Sequence, residues 1–143
     1  MPTSPSAVLD TAPLAPEEGA RYFEGRLAAA TDPADVHADL AMGVPGLVVL
    51  DARSREAYER GHVPGALSLP HRLISPETVA ALPRDAVLVT YCDGVHCNAS
   101  TWAAVKLARL GFRVKEMQGG LEGWQRDGYE LAVGRTPSSG GPR

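Results

Sequence analysis

Ala86-Val87-Leu88-Val89-Thr90-Tyr91-Cys92-Asp93-Gly94-Val95-His96-Cys97-Asn98-Ala99-Ser100-Thr101 is the stretch on which the reading of the fold turns. Ala86 to Tyr91 is apolar, β-branched or aromatic without interruption, which suits a strand covered on both faces better than the half-exposed strand of a hairpin. A polar, glycine-containing loop follows. Ala103, Ala104, Leu107, Ala108 and Leu110 then trace one helical face, which Gly111 closes. A thiol therefore stands where a buried strand ends and a helix begins just beyond. Such a thiol meets the positive end of the helix dipole and unpaired backbone N–H groups. That setting favours a thiolate and makes a cradle for an anionic group, whether persulfide, thiosulfate, phosphate or arsenate. The other reading of Cys92 is a small buried apolar residue.

Working outward, Leu47 to Leu50 is a second continuous apolar run ending at Asp51. Ala66 to Leu69 forms a short strand before Pro70, and Val114 to Met117 a last one. Helical segments alternate with them. Asp32 and Pro33 sit where a cap and a first-turn proline belong, Val36 and Leu40 continue the pattern, and Gly43 stops it. Ser54 caps a short helix through Glu56, Ala57 and Tyr58, closed by Gly61. Ser75-Pro76-Glu77 opens a further helix through Val79, Ala80 and Leu82, and Leu121 to about Arg126 forms a short one after the Gly119-Gly120 turn. Tyr22, Phe23, Leu27 and Ala30 recur at helical spacing behind Glu17 and Glu18, predicting an amphipathic helix over about 17–30 that packs on the domain. The alternation predicts an α/β fold with a mostly parallel central sheet and helices on both faces. In such folds the ligand site lies at the carboxyl ends of the strands, where Cys92 stands.

The chain of 143 residues is the size of one domain, and 44% apolar residues suffice for its core. Four prolines in residues 1–16 predict a flexible N-terminal arm, and the Gly, Ser and Pro of residues 134–143 a flexible C-terminal tail, around a domain spanning 17–133. A net charge of −3 with 22% charged residues gives no basic footprint for nucleic acid or anionic lipid. No apolar run is long enough to span a bilayer, and the N-terminus lacks a signal-peptide pattern, so a cytoplasmic protein is expected. The two cysteines, Cys92 and Cys97, are too few for a disulfide scaffold or a zinc site built on paired CxxC motifs.

Val48-Val49-Leu50-Asp51-Ala52-Arg53, the following Glu56 and Tyr58, then Gly61-His62-Val63-Pro64-Gly65-Ala66, Cys92 after its strand, Gly111-Phe112, Gly119-Gly120 and Trp124 together resemble the single-domain rhodanese family of sulfurtransferases. The resemblance covers about 32–131. It implies a rhodanese-like fold and a reaction in which Cys92 takes a sulfane sulfur from thiosulfate, a persulfide or mercaptopyruvate. The sulfur is held as a persulfide and passed to a thiophilic acceptor such as cyanide, a thiol or a protein cysteine. The backbone of Asp93, Gly94, Val95, His96, Asn98 and Ala99 would cradle it. Asp51, Arg53 and His62 are expected to support the fold beside the loop. Tyr58 and Trp124 read as core aromatics, and Gly65, Gly119 and Gly120 as backbone positions needing unusual dihedrals or close approach. No cofactor and no metal are implied, and the partners expected are a small sulfur donor and a thiol or protein-cysteine acceptor.

Two departures from the family pattern bear on activity. The loop after Cys92 is longer than usual and lacks the usual arginines, so His96 is its only side chain able to carry positive charge, which weakens attraction for dianionic thiosulfate. Cys97 could resolve the Cys92 persulfide into a Cys92–Cys97 disulfide, accept the sulfur itself, or only pack beneath the helix. The alternative function is a non-catalytic rhodanese-like module that binds a partner or senses oxidants through the two thiols. Phosphoryl transfer is disfavoured because Asn98 stands where related phosphatases place an anion-gripping arginine. Metal binding through Cys92, His96 and Cys97 would require one short loop to direct three ligands at one centre.

Overall fold

A computed structural model describes residues 5–137. The chain forms α1 (Pro16–Ala29), β1 (Ala30–Thr31), α2 (Pro33–Met42), β2 (Leu47–Asp51), α3 (Arg55–Arg60), β3 (Leu67–Ser68), a 3-10 turn at His71–Leu73, β4 (Val87–Tyr91), α4 (Ala99–Arg109), β5 (Arg113–Met117) and α5 (Gly120–Arg126). The five strands make one sheet in the order β1-β5-β4-β2-β3, every pair parallel. Helices cover both faces, as the alternation predicts.

The strand period of two sorts the core into two clusters. Val49, Val89, Tyr91 and Met117 meet Val36 of α2 and Leu121 and Trp124 of α5 on one face. Leu50 and Leu88 meet Val79, Leu107 of α4 and Phe112 on the other. The expected start and stop chemistry of α2 and α3 is present. Asp32 accepts the Asp35 N–H at 2.9 Å and Gly43 ends α2 with φ 66°, while Ser54 accepts the Ala57 N–H at 3.2 Å.

Four expectations need correction. Residues 75–82 form successive turns instead of a helix. Thr78 Oγ1 donates to Leu73 O at 2.7 Å and accepts the Ser75 N–H at 2.9 Å, side-chain bonds to the backbone that compete with a helical ladder. Ala30 belongs with Thr31 to an edge strand paired to Glu116 and Met117, too short to leave a periodic signal. The strand expected over Ala66 to Leu69 keeps only Leu67–Ser68. Helix α1 forms, but it buries no residue: Tyr22, Phe23 and Leu27 stay exposed because the helix meets the domain chiefly at the edge of the sheet, where Lys115 Nζ donates to Leu27 O at 3.1 Å.

The C-terminal segment lies against the domain as far as it is described. Gly134 N–H donates to Glu59 O, and Pro137 O accepts the Gly65 N–H and lies 3.0 Å from His62 Nε2. The outer ends of the expected arm and tail, residues 1–4 and 138–143, lie outside the described residues.

Candidate active site

The chain leaves β2 towards β3 and leaves β4 in the opposite direction towards β5, so the strand order reverses between β2 and β4. A crevice opens at the carboxyl ends of two strands that diverge in this way. Asp51 ends one and Tyr91 the other, as register partners, and Ala52 N–H donates to Tyr91 O at 3.0 Å. Cys92 is the next residue. It is 2% exposed, and its sulfur is joined to that of Cys97 across a Cα separation of 6.2 Å.

The loop is fixed from two sides. On one, Cys92 O accepts the Leu121 N–H at 2.9 Å and Asp93 O accepts the Glu122 N–H at 2.8 Å. The backbone of α5 approaches so closely that a Cβ on Gly120, whose φ is +57°, would lie 2.5 Å from Cys92 O and 2.8 Å from Asp93 C. On the other side, Arg53 Nη1 donates to Asp93 Oδ1 at 3.0 Å. The same guanidinium contacts both oxygens of the fully buried Asp51 and donates to Gly61 O at 2.6 Å. Tyr91 Oη completes the cluster by donating to Asp51 Oδ2 at 2.7 Å and accepting the Val63 N–H at 3.0 Å.

Charge and burial act together here. Burial works against the Arg53 cation, but the hydrogen bonds and charge of Asp51, with Tyr91 and Asp93 behind them, hold its pKa above the ordinary arginine value. Tyr91 is pushed well above the usual tyrosine range, first by burial and then by the Asp51 carboxylate. Both groups therefore keep their ordinary protonation, and the cluster is a fixed frame under the loop.

Hollows open on either side of Cys92. One, of about 250 Å³, lies between the loop and the end of β5, where Ser100 and Thr101 donate to Glu116 Oε2 at 2.5 and 2.7 Å. The other, of about 350 Å³, lies towards α3 and includes Arg53, Arg60, His71 and Asp93 along with both cysteines. Trp102 N–H on Asn98 O at 3.0 Å is the first bond of α4, leaving the N–H groups of Ala99, Ser100 and Thr101 without helical acceptors. Cys97 N–H turns back onto Gly94 O at 3.1 Å.

The expected site residues divide accordingly. Cys92, Gly94, Val95, Cys97, Asp93, Ala99 and Arg53 line one hollow or both, while His96 and Asn98 are exposed on the loop. Asp51 acts from beneath. His62 is elsewhere: fully buried, it stacks on Tyr58 at 3.7 Å and places Nδ1 2.8 Å from Tyr58 O. Tyr58 and Trp124 are core aromatics, and Gly65, Gly119 and Gly120 all have positive φ. Glu116, Gln118, Arg60 and His71 were not singled out as site residues by sequence reading. They come from three other segments, and no local motif marks them.

The description "Rhodanese-like domain" belongs to the family whose pattern matches residues 32–127. The crystal structure of the BH2092 protein from Bacillus halodurans superposes with a TM-score of 0.81 at 40% identity, covering 85% of this chain and 88% of that one. Thiosulfate sulfurtransferase GlpE of Pseudomonas entomophila is 34% identical over 87 residues, 60% of this chain and 77% of that protein. The HTH-type transcriptional regulator Rv0324 of Mycobacterium tuberculosis is 32% identical over 95 residues, 66% of this chain but only 41% of the regulator.

Proposed function

Because the chain belongs to the rhodanese-like domain family, we propose that it is a sulfurtransferase whose nucleophile is Cys92. The observation that carries this reading is the position of Cys92: next to the switch point of the sheet, between two hollows, with the free N–H groups of the first turn of α4 just beyond. In its thiolate form Cys92 attacks the outer sulfur of a donor and the donor leaves with the electron pair of the broken bond. The loop amides other than that of Cys97, which is bonded to Gly94 O, and the first-turn amides of Ala99, Ser100 and Thr101 supply dipoles for the persulfide anion. Arg53 acts at one remove by holding Asp93. The Cys92–Cys97 bond must be reduced before loading, and after loading Cys97 can regenerate it by attacking Cys92 Sγ and releasing sulfide.

Mass spectrometry of the reduced protein after incubation with thiosulfate, a small persulfide or mercaptopyruvate tests the reading. Cys92 should gain the mass of one sulfur atom and Cys92→Ser should gain none. No adduct from any of the three donors would sink it. The bonded sulfurs favour one second reading, a redox-responsive module. It expects disulfide formation under mild peroxide without sulfur loading, so free-thiol counts beside the mass measurement separate the two.

A further inference from the structure

Helix α1 lies outside residues 32–127, the part of the chain that matches the family pattern, and lines neither hollow beside Cys92. It presents large apolar side chains to water: Tyr22 is 53% exposed, Phe23 57% and Leu27 74%. Tyr22 and Phe23 meet edge to face, with ring centroids 5.2 Å apart. A helix of fourteen residues is marginal by itself, and helices in proteins owe most of their stability to the packing of an apolar face. None of the residues of α1 is buried, although a hydrogen bond from Lys115 Nζ to Leu27 O ties its C-terminal end to the edge of the sheet. Beside it runs a groove of about 610 Å³, with Phe23, Arg26, Leu27 and Ala30 on one wall and Thr31 and Lys115 on the other.

The order of residues along α1 says what fits there. Glu18, Tyr22 and Arg26 are four apart and form one ridge of the helix surface, and Gly19, Phe23 and Leu27 form the next. Glu18 and Arg26 therefore stand one turn to either side of Tyr22, with opposite charge. A second copy of α1 laid antiparallel, with a two-fold axis at Tyr22, sets Glu18 of each copy against Arg26 of the other, both about 6 Å along the helix from the axis. Tyr22 meets its own equivalent, and Gly19 on the neighbouring ridge leaves room for the approach. Both charged groups are exposed, and neither forms an ion pair with a described residue. A lipid surface fits less well. Helices that lie on membranes are rich in Lys and Arg, whereas α1 carries Glu17, Glu18 and Glu24 against Arg21 and Arg26.

We propose that the exposed face of α1 is the interface of a homodimer, in which two copies pair antiparallel through Tyr22, Phe23 and Leu27 with reciprocal Glu18–Arg26 contacts. A contact made by one helix pair is at the small end of specific interfaces, so the expected dissociation constant is on the order of 10 μM.

Sedimentation velocity of the full chain, kept reduced so that Cys92 and Cys97 cannot link copies, should show monomer giving way to dimer between about 1 and 300 μM. Phe23→Glu should stay monomeric throughout, with far-UV circular dichroism checking that its helices remain. Glu18→Arg and Arg26→Glu each place two like-charge contacts in the interface and should weaken the dimer about tenfold. An equimolar mixture of these two variants restores both pairs with their charges exchanged, and should dimerise with about the unsubstituted affinity. That recovery is independent of how Phe23→Glu folds.

A chain that remains monomeric to about 300 μM overturns the proposal. So does a dimer that Phe23→Glu leaves intact, or a mixture that associates no more tightly than its two components. Binding to vesicles of phosphatidylcholine and phosphatidylserine by a chain that stays monomeric overturns it as well, and assigns the face to lipid.

Discussion

Replacing Gly120 by alanine perturbs the seat of the loop without touching a reactive group. At φ +57° an L-residue pays the left-handed backbone cost of about 1–2 kcal/mol. The new Cβ would also lie 2.5 Å from Cys92 O and 2.8 Å from Asp93 O, both backbone atoms that cannot swing aside. Ordinary contact near about 3.5 Å requires a relative shift of roughly 1 Å. The bonds that hold this approach are Leu121 N–H to Cys92 O and Glu122 N–H to Asp93 O, at 2.9 and 2.8 Å. Losing both costs about 0.5–1.5 kcal/mol each, so the total is about 2–5 kcal/mol. Gly65 is the internal control, because its φ is +90° but a Cβ there meets nothing within 4 Å, so alanine costs only the backbone strain. Urea unfolding of both variants, read by linear extrapolation, compares the two costs. Sulfur loading of Cys92 gives a second measure, since a displacement of about 1 Å at a reacting atom can slow chemistry about a hundredfold. Equal destabilisation by the two substitutions, with loading unimpaired in Gly120→Ala, would refute the claim that close approach of α5 sets the loop.

Arg53→Met leaves the buried Asp51 carboxylate without its cation and should cost about 3–5 kcal/mol, read as a lower urea midpoint; a loss below about 1 kcal/mol, the scale of an exposed pair, would contradict the frame described for it. Tyr58 is pushed up to about 12, by burial first and by Asp51 second, and donates to Ala66 O at 2.6 Å. Its folded pKa is raised, so its contribution is complete below the ordinary tyrosine value, about 10, and is lost as pH climbs to about 12. Tyr58→Phe should flatten that part of the alkaline stability profile, and an identical profile would speak against it. His71 has the opposite sign, with a folded pKa below the ordinary histidine value, so its contribution is present above about pH 6.5 and disappears as pH falls further. His71→Gln should shallow the acid limb, and unfolding measured across that range decides it.

Much of the fold is legible because the signals are local and agree with one another. Leu47–Asp51 and Val87–Tyr91 read as doubly covered strands and are central neighbours, and Asp32, Pro33, Gly43 and Ser54 mark the helix ends that form. The segment 75–82 misleads because the Ser-Pro-Glu start chemistry is real, but the Ser75 and Thr78 side chains bond the local backbone in a set of turns that the helical pattern does not reveal. The apolar residues of α1 mislead in a different way: helical spacing predicts a face, but nothing in the spacing says that the face is covered. At the site, Cys92 is legible from its place after an apolar strand. The hollows beside it are not, because Glu116, Arg60 and His71 arrive from separate segments and meet Cys92 only through the order of the strands.

The buried Asp51, Arg53 and Tyr91 cluster bears on how the frame and the reaction divide the work. An ion pair taken out of water gains little net stability over well-packed apolar residues, because desolvation offsets most of the Coulombic attraction. Stability alone therefore does not account for a guanidinium that contacts both oxygens of Asp51, Gly61 O and Asp93 at once. Geometry does. Asp51 and Tyr91 are register partners at the ends of β2 and β4, and Arg53 carries that register across the crevice to Asp93, the first residue after Cys92. An apolar set of equal volume could hold the strands together but could not fix the direction in which the loop departs. Since α5 fixes the same loop through Cys92 O and Asp93 O, the thiol is clamped from opposite sides of the sheet's switch point. Arg60 lines one approach to Cys92 and Glu116 the other.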